Sequence, residues 1–229
     1  MFVSVHFPKS GGTSLRVSLE KSFGSGAVHL NYADDPVNPV SRYSLDPAYI
    51  HRVPHGIPDG AKVVHGHFTP RRYLGIVPCD GLFTFLREPV ENLISIYFFW
   101  KSFPRNNSAL HTYFLDHNLT IEETAGLPAL RRLFTGSYFP DFDMSTFDLI
   151  GDVSTYPRDL ARLGDLLGRP LEPVVENVNR LRSEPRDGGL SYDAAIADAA
   201  LRARLEDILA EDLKFYASVM TLRENLRTV

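Results

Sequence analysis

Hydrophobic positions along the chain alternate between two rhythms. An apolar run at Phe2-Val3-Ser4-Val5 predicts a buried strand from Phe2 to Phe7. A Gly11-Gly12 turn follows, and a helix is predicted from Thr13 to Phe23. Lys62-Val63-Val64-His65 reads as a short strand and Gly81 to Leu86 as a buried one. Glu88 to Phe103 reads as a helix with Pro89 in its first turn, a position that tolerates proline. Phe147-Asp148-Leu149-Ile150 is strand-like, and Pro157 to Leu167 is amphipathic, with Leu160, Leu163, Leu166 and Leu167 along one side. A final helix is predicted from Ala194 to Met220, carrying Leu205, Ile208, Leu209, Leu213 and Tyr216 at helical spacing. Between these elements, Asn31 to Gly60 is rich in Pro and Asp and reads as a long excursion near the site, and Asn107 to Arg132 as mixed helix and loop.

Strands alternating with helices predict an α/β fold with a mostly parallel sheet flanked by helices. In such sheets ligands sit beyond the carboxyl ends of the strands, where all the candidate chemistry lies. The 229 residues suit one domain, 1–229, with a substantial core. The formal net charge of -4 gives no general attraction to nucleic acid. Cys79 is the only cysteine, so no intrachain disulfide framework exists and a reducing compartment is acceptable. No charged n-region with an apolar stretch opens the chain, and no apolar run reaches the roughly 18 residues of a membrane span. The expectation is a cytoplasmic protein without a membrane partner.

The segment His6-Phe7-Pro8-Lys9-Ser10-Gly11-Gly12-Thr13-Ser14-Leu15 concentrates the chemistry. A strand feeding a glycine turn and a helix start gathers unpaired N–H groups, a positive helix end, two hydroxyls and a lysine at one point, which suits a phosphate. The Walker A loop does this with its lysine after the glycines. Here Lys9 precedes them, so the ordinary nucleotide triphosphate loop does not fit. A plain strand–turn–helix corner with Ser and Thr as caps is the bland alternative.

His6 to Leu15 resembles the 5′-phosphosulfate loop of the sulfotransferases that use 3′-phosphoadenosine 5′-phosphosulfate (PAPS), especially the heparan and dermatan 2-O-sulfotransferase branch. Phe83 to Tyr97, containing Leu86-Arg87-Glu88-Pro89 and Ser95, resembles the same family's 3′-phosphate motif. Glu88 stands where the family often has Asp, and Asn92 where it often has Arg or Lys. Two such motifs in the right order are more specific than either alone.

The resemblance implies a P-loop-like three-layer fold and PAPS as donor, leaving adenosine 3′,5′-bisphosphate. It implies that Lys9, Ser10, Gly11, Gly12, Thr13 and Ser14 hold the phosphosulfate, with Lys9 stabilising the leaving oxygen. Arg87 and Ser95 would hold the 3′-phosphate. Their eight-residue separation spans about 12 Å of helix, within reach of an extended arginine and a phosphate between them. Arg87 in an ion pair with Glu88 or Glu91 is the alternative. Val174 to Arg180 resembles a segment ending in an asparagine before a variable loop, so Asn179, and Arg186 from the loop that follows, are added as weaker donor contacts, with solvated loop charges as the alternative. The family's H-G-H element matches His65-Gly66-His67 and implies His67 as base, with His65 positioning the base or the acceptor. Residues i and i+2 of a strand face the same way, so both rings can enter one cleft.

A structural histidine pair, or a metal held by His51, His55, His65 and His67, are competing readings of those residues. No metal is part of the leading one. Arg71 and Arg72 are candidate ligands for an acidic acceptor, and Tyr73, Tyr97 and Trp100 for sugar rings. The expected acceptor is a small molecule or saccharide bearing a hydroxyl. A phosphoryl-transfer enzyme with a modified P-loop, using Asp148 or Asp152 for magnesium, is the runner-up. A catalytically inactive binding module is the third reading.

Overall fold

A computed structural model describes residues 1–46, 48, 56–106, 108–174 and 190–225. Five strands, β1 (Phe2–Val5), β2 (Val28–Asn31), β3 (Val63–Gly66), β4 (Gly81–Leu86) and β5 (Leu149–Asp152), form one sheet in the order β2-β3-β1-β4-β5. Every neighbouring pair is parallel, so all strands end at one edge. The expected parallel sheet with helices on both faces is therefore what the chain forms.

Strand pleating sorts the side chains onto two cores. On one face Val63, Phe83, Phe85 and Leu149 meet Leu15 and Leu19 of α1 (Gly12–Phe23), and Leu160, Leu163 and Leu167 of a later helix. On the other, Val3, Val5, Val64, Leu82, Leu86 and Ile150 join a larger core. A one-turn helix, α2 (Arg42–Leu45), interrupts the long segment after β2. The second core takes its cover from α3 (Pro89–Ser102), α5 (Ile121–Gly126) and α6 (Pro128–Arg131), while α4 (Ala109–Asp116) packs on α3 through Phe114 against Tyr97 and Trp100. The amphipathic helix on the first face is α7 (Tyr156–Leu167).

Several predicted boundaries change, the last strand among them, which runs over Leu149–Asp152 rather than from Phe147. The first strand stops at Val5, and Val28–Asn31 forms a strand where none was expected. The single long helix predicted near the end is three: α8 (Tyr192–Ala197), α9 (Ala199–Ile208) and α10 (Ala210–Asn225). Asp198 breaks the run by accepting the N–H groups of Ala200 and Leu201, both at 2.9 Å, as the cap of α9.

A π-helical turn at Leu133–Tyr138 follows α6. Its first free N–H groups are taken by Asp212 of α10, buried to 1% exposure, which accepts from Phe134 N at 2.9 Å and Thr135 N at 3.0 Å. Thr135 Oγ1 adds a third bond at 2.8 Å. The turn ends on Tyr138, whose ring is fully buried. Among the described residues no helix is long and apolar enough to cross a membrane.

Candidate active site

The loop after β1 is held in an unusual shape. Lys9 has φ 56° and Gly11 φ 79°, a left-handed conformation that is uncommon for a lysine. The carbonyl of Pro8 anchors the turn, accepting from Asn92 Nδ2 of α3 at 2.7 Å. Asn92 thus ties the loop to the helix behind it. Ser10 is buried, its hydroxyl 3.4 Å from the same carbonyl. Gly12 must be glycine, because a Cβ there would lie 1.9 Å from the His6 ring.

Gly11 precedes α1 without any side-chain cap, and Leu15 N is the first amide to bond back, to Gly11 O at 2.9 Å. The first N–H groups of α1 therefore face the loop, with no protein partner among the described residues for the Thr13 and Ser14 hydroxyls. Backbone donors, hydroxyls and the positive end of a helix converge on one point. Thr13 and Ser14 are not caps here, which removes the bland alternative for these two side chains.

Lys9 places Nζ 4.1 Å from the centre of the Phe99 ring. Burial, reinforced by the charge of Arg87, lowers its pKa to about 8. An anion beside both cations would relieve that repulsion. Arg87 follows β4, the strand adjoining β1, and is 18% exposed. Its guanidinium donates to the Tyr192 hydroxyl at 2.8 Å and reaches Glu91 at 3.4 Å. Ser95 lies on α3, 1% exposed. Glu88 caps α3 by accepting from Glu91 N at 2.8 Å and pairs with Arg202 at 2.9 Å, so the expected ion-pair alternative for Arg87 is realised only with Glu91.

On the other side of β1, pleating lines up Ser4 and His6 with His65 and His67 of the β3 end, and with Tyr32 past β2. The His6 ring stacks on His65 at 4.9 Å and meets His67 edge-on at 4.5 Å. Tyr32, 40% exposed, stands edge-on to His67 at 4.9 Å and bonds His6 Nδ1 through its hydroxyl at 3.3 Å. His65 is fully buried and bonded through Nδ1 to Ser4 Oγ at 2.8 Å. It cannot touch an acceptor, so of its two expected roles only support of the neighbouring rings remains. Gly66 allows β2 and β3 to close, since a Cβ there would fall 1.8 Å from the Asn31 carbonyl oxygen.

Burial, and then the charge of His67, lowers the His65 pKa from its ordinary 6.5 to about 3; burial also lowers that of His6. Below pH 6.5 the unfolded chain binds protons at these rings that the folded chain refuses. For His65 that stability is complete above pH 6.5 and falls by about 1.4 kcal/mol per pH unit as the pH drops toward 3, and His6 acts in the same direction. A His65→Gln variant should lose part of that slope in urea unfolding followed between pH 7 and 5; a slope identical to the parent's would contradict the assignment.

His67 is partly exposed and pairs through Nδ1 with Asp35 Oδ2 at 3.4 Å. Its Nε2 is buried without a partner. Asp35 also receives the Tyr138 hydroxyl at 3.4 Å and Val37 N at 3.0 Å, both on Oδ1. The preceding residue, Asp34, is buried against Arg72, with Nε to Oδ2 at 2.8 Å and both side chains 3% exposed. Asn31 Nδ2 joins that carboxylate at 2.8 Å and the Tyr73 hydroxyl at 2.7 Å.

These contacts correct the expected acceptor ligands. Arg72 is committed to an internal ion pair, and Tyr73 is 2% exposed. Tyr97 and Trp100 pack against the larger core. Arg71 is exposed and donates to the Asp141 carbonyl. Asn179, Arg186, His51 and His55 lie outside the described residues. The residues missed from the sequence are Tyr32, Asp35, Tyr138 and Tyr192, of which only Tyr32 and Asp35 fall in a segment flagged as lying near the site.

No protein-family model matches the chain, and no curated protein does. The solved structures similar to it include two sulfotransferases. One is a sulfotransferase from Alicyclobacillus acidocaldarius, 14% identical, covering 91% of this chain and 95% of that one with a TM-score of 0.39. The other is mouse sulfotransferase SULT7A1 complexed with PAP, 11% identical, covering 100% of this chain and 88% of that one with a TM-score of 0.43.

Proposed function

We propose that the chain transfers a sulfuryl group from PAPS to a hydroxyl of an acceptor, a carbohydrate or another hydroxylated metabolite. One observation carries this reading: three successive strand ends, β3, β1 and β4, deliver His67, the Lys9 loop and Arg87 in that order along one edge. A donor with phosphate at both ends of its adenosine fits the two cationic points, and a base beside the loop fits transfer from the 5′ end.

The residues present suit each part of that task. The free N–H groups of α1 and the Thr13 and Ser14 hydroxyls bind the 5′ phosphosulfate. Lys9 neutralises the oxygen that gains charge as the S–O bond breaks, which favours the transition state over the ground state. Arg87 grips the 3′-phosphate, with Ser95 behind it on the same helix. His67 accepts the proton of the acceptor hydroxyl through a ring nitrogen. The fit requires Arg87 to exchange its long contact with Glu91 for the phosphate.

The phosphoryl-transfer alternative needs an acidic residue at the carboxyl edge, free to hold magnesium. Asp148 sits at the opposite, amino edge, bonded to Leu82 N at 2.7 Å. Asp152 is at the correct edge but accepts from Ser154 N at 2.8 Å and Tyr216 Oη at 2.6 Å. Neither arrangement favours the kinase.

Thermal unfolding with adenosine 3′,5′-bisphosphate and with ADP, each with and without magnesium, separates the two. Ligand bound only by the folded state raises the melting temperature. The bisphosphate is expected to stabilise at far lower concentration than ADP, without help from magnesium. Equal stabilisation, or a magnesium-dependent preference for ADP, would reject sulfuryl transfer.

A further inference from the structure

We propose that Asp35 is a positioning residue that fixes the tautomer of His67, holding the proton on Nδ1 and leaving the Nε2 lone pair as the proton acceptor. A carboxylate can only accept, so the nitrogen facing Asp35 Oδ2 must be the one that carries hydrogen. The bond made by one ring nitrogen decides the state of the other. Nε2 is buried and has no hydrogen-bond partner in the protein, so no protein group competes with Asp35 in setting the tautomer. The other groups facing the ring are Tyr32, Tyr138 and His6.

The carboxylate is itself oriented from both sides. Oδ1 receives Val37 N at 3.0 Å and the Tyr138 hydroxyl at 3.4 Å, which turns Oδ2 toward His67. Tyr138 closes the π-helical turn anchored by Asp212, so it approaches from a rigid element. One residue upstream, the buried Asp34–Arg72 pair fixes the backbone that bears Asp35. The segment after β2 is thus clamped at two adjacent residues, one structural and one facing the histidine.

This geometry makes Asp35→Asn a sharp probe. The two donors on Oδ1 retain the amide oxygen of the new side chain, so its NH2 takes the place of Oδ2. An NH2 there donates to Nδ1 and expels the proton to Nε2, inverting the tautomer. Nitrogen-15 histidine NMR at a pH where His67 is neutral reads this directly, with the His67 signals identified by their loss in His67→Gln. The parent protein should show a protonated Nδ1 and a bare Nε2; Asp35→Asn should show the reverse.

A parent spectrum with hydrogen on Nε2 would overturn the proposal by itself, whether or not the variant folds. So would an Asp35→Asn spectrum unchanged from the parent's. The consequence for turnover rests on His67 being the base of the proposed reaction. The tautomer, however, is read without nucleotide or acceptor, so failure of the sulfuryl-transfer reading and failure of the Asp35 proposal give different results.

Discussion

Arg87→Ala is expected to lower affinity for adenosine 3′,5′-bisphosphate by a factor between about 30 and several thousand, while leaving ADP binding nearly unchanged. Truncating one member of a partly buried charge pair costs about 2–5 kcal/mol, and each 1.4 kcal/mol is tenfold in affinity. ADP lacks the 3′-phosphate and so gives Arg87 nothing to grip. The fold tolerates the change, because the guanidinium's contacts are one hydroxyl, Tyr192, and the exposed Glu91. Calorimetric titration of both nucleotides into parent and variant gives the ratio. A parallel loss for both would show that Arg87 acts through general charge or through the loop, and the 3′-phosphate assignment would be withdrawn.

Gly66→Ala should cost at least about 3 kcal/mol of stability, the upper range for inserting a methyl group into a packed interior. For a chain of this size that corresponds to a melting temperature lower by roughly 6–12 °C. The obstacle at 1.8 Å is a main-chain oxygen of Asn31, which cannot rotate away as a side-chain tip would. Relief requires β2 to separate from β3, so amide exchange in Val28–Asn31 should accelerate first. Gly26→Ala is the matched control, since nothing lies within 4 Å of its added carbon. If both variants melt alike, close approach of the two strands is not what Gly66 provides.

The sequence made some elements plain and concealed others for physical reasons. β1, β4, α3 and α7 were legible because each carries a mostly apolar run or a strong one-sided leucine pattern. β2 was not: Val28-His29-Leu30-Asn31 is four residues long, half polar, and lies at the sheet margin where one side needs no apolar partner. The last helix read as one piece because its apolar spacing continues across Asp198, while the cap that divides it is a single side chain.

Within the site, residues belonging to a contiguous motif could be named from their spacing. Those arriving from elsewhere could not. Nothing in Asp34-Asp35 announces that one carboxylate faces a buried arginine and its neighbour a histidine. Arg71 and Arg72 read alike as ligands for an acidic acceptor, yet one of them is sealed inside. Tyr138 depends on a π-helical turn, and its role is decided by an aspartate 74 positions later in the chain.

That aspartate sets a lower bound on how short a working version of the protein can be. Trimming the tail back past Asp212 would leave two interior amides stranded and release the aromatic ring that backs the histidine's acidic neighbour. Losing that one side chain would therefore be felt at the centre, and a ribosome must pass Asp212 before that centre can set.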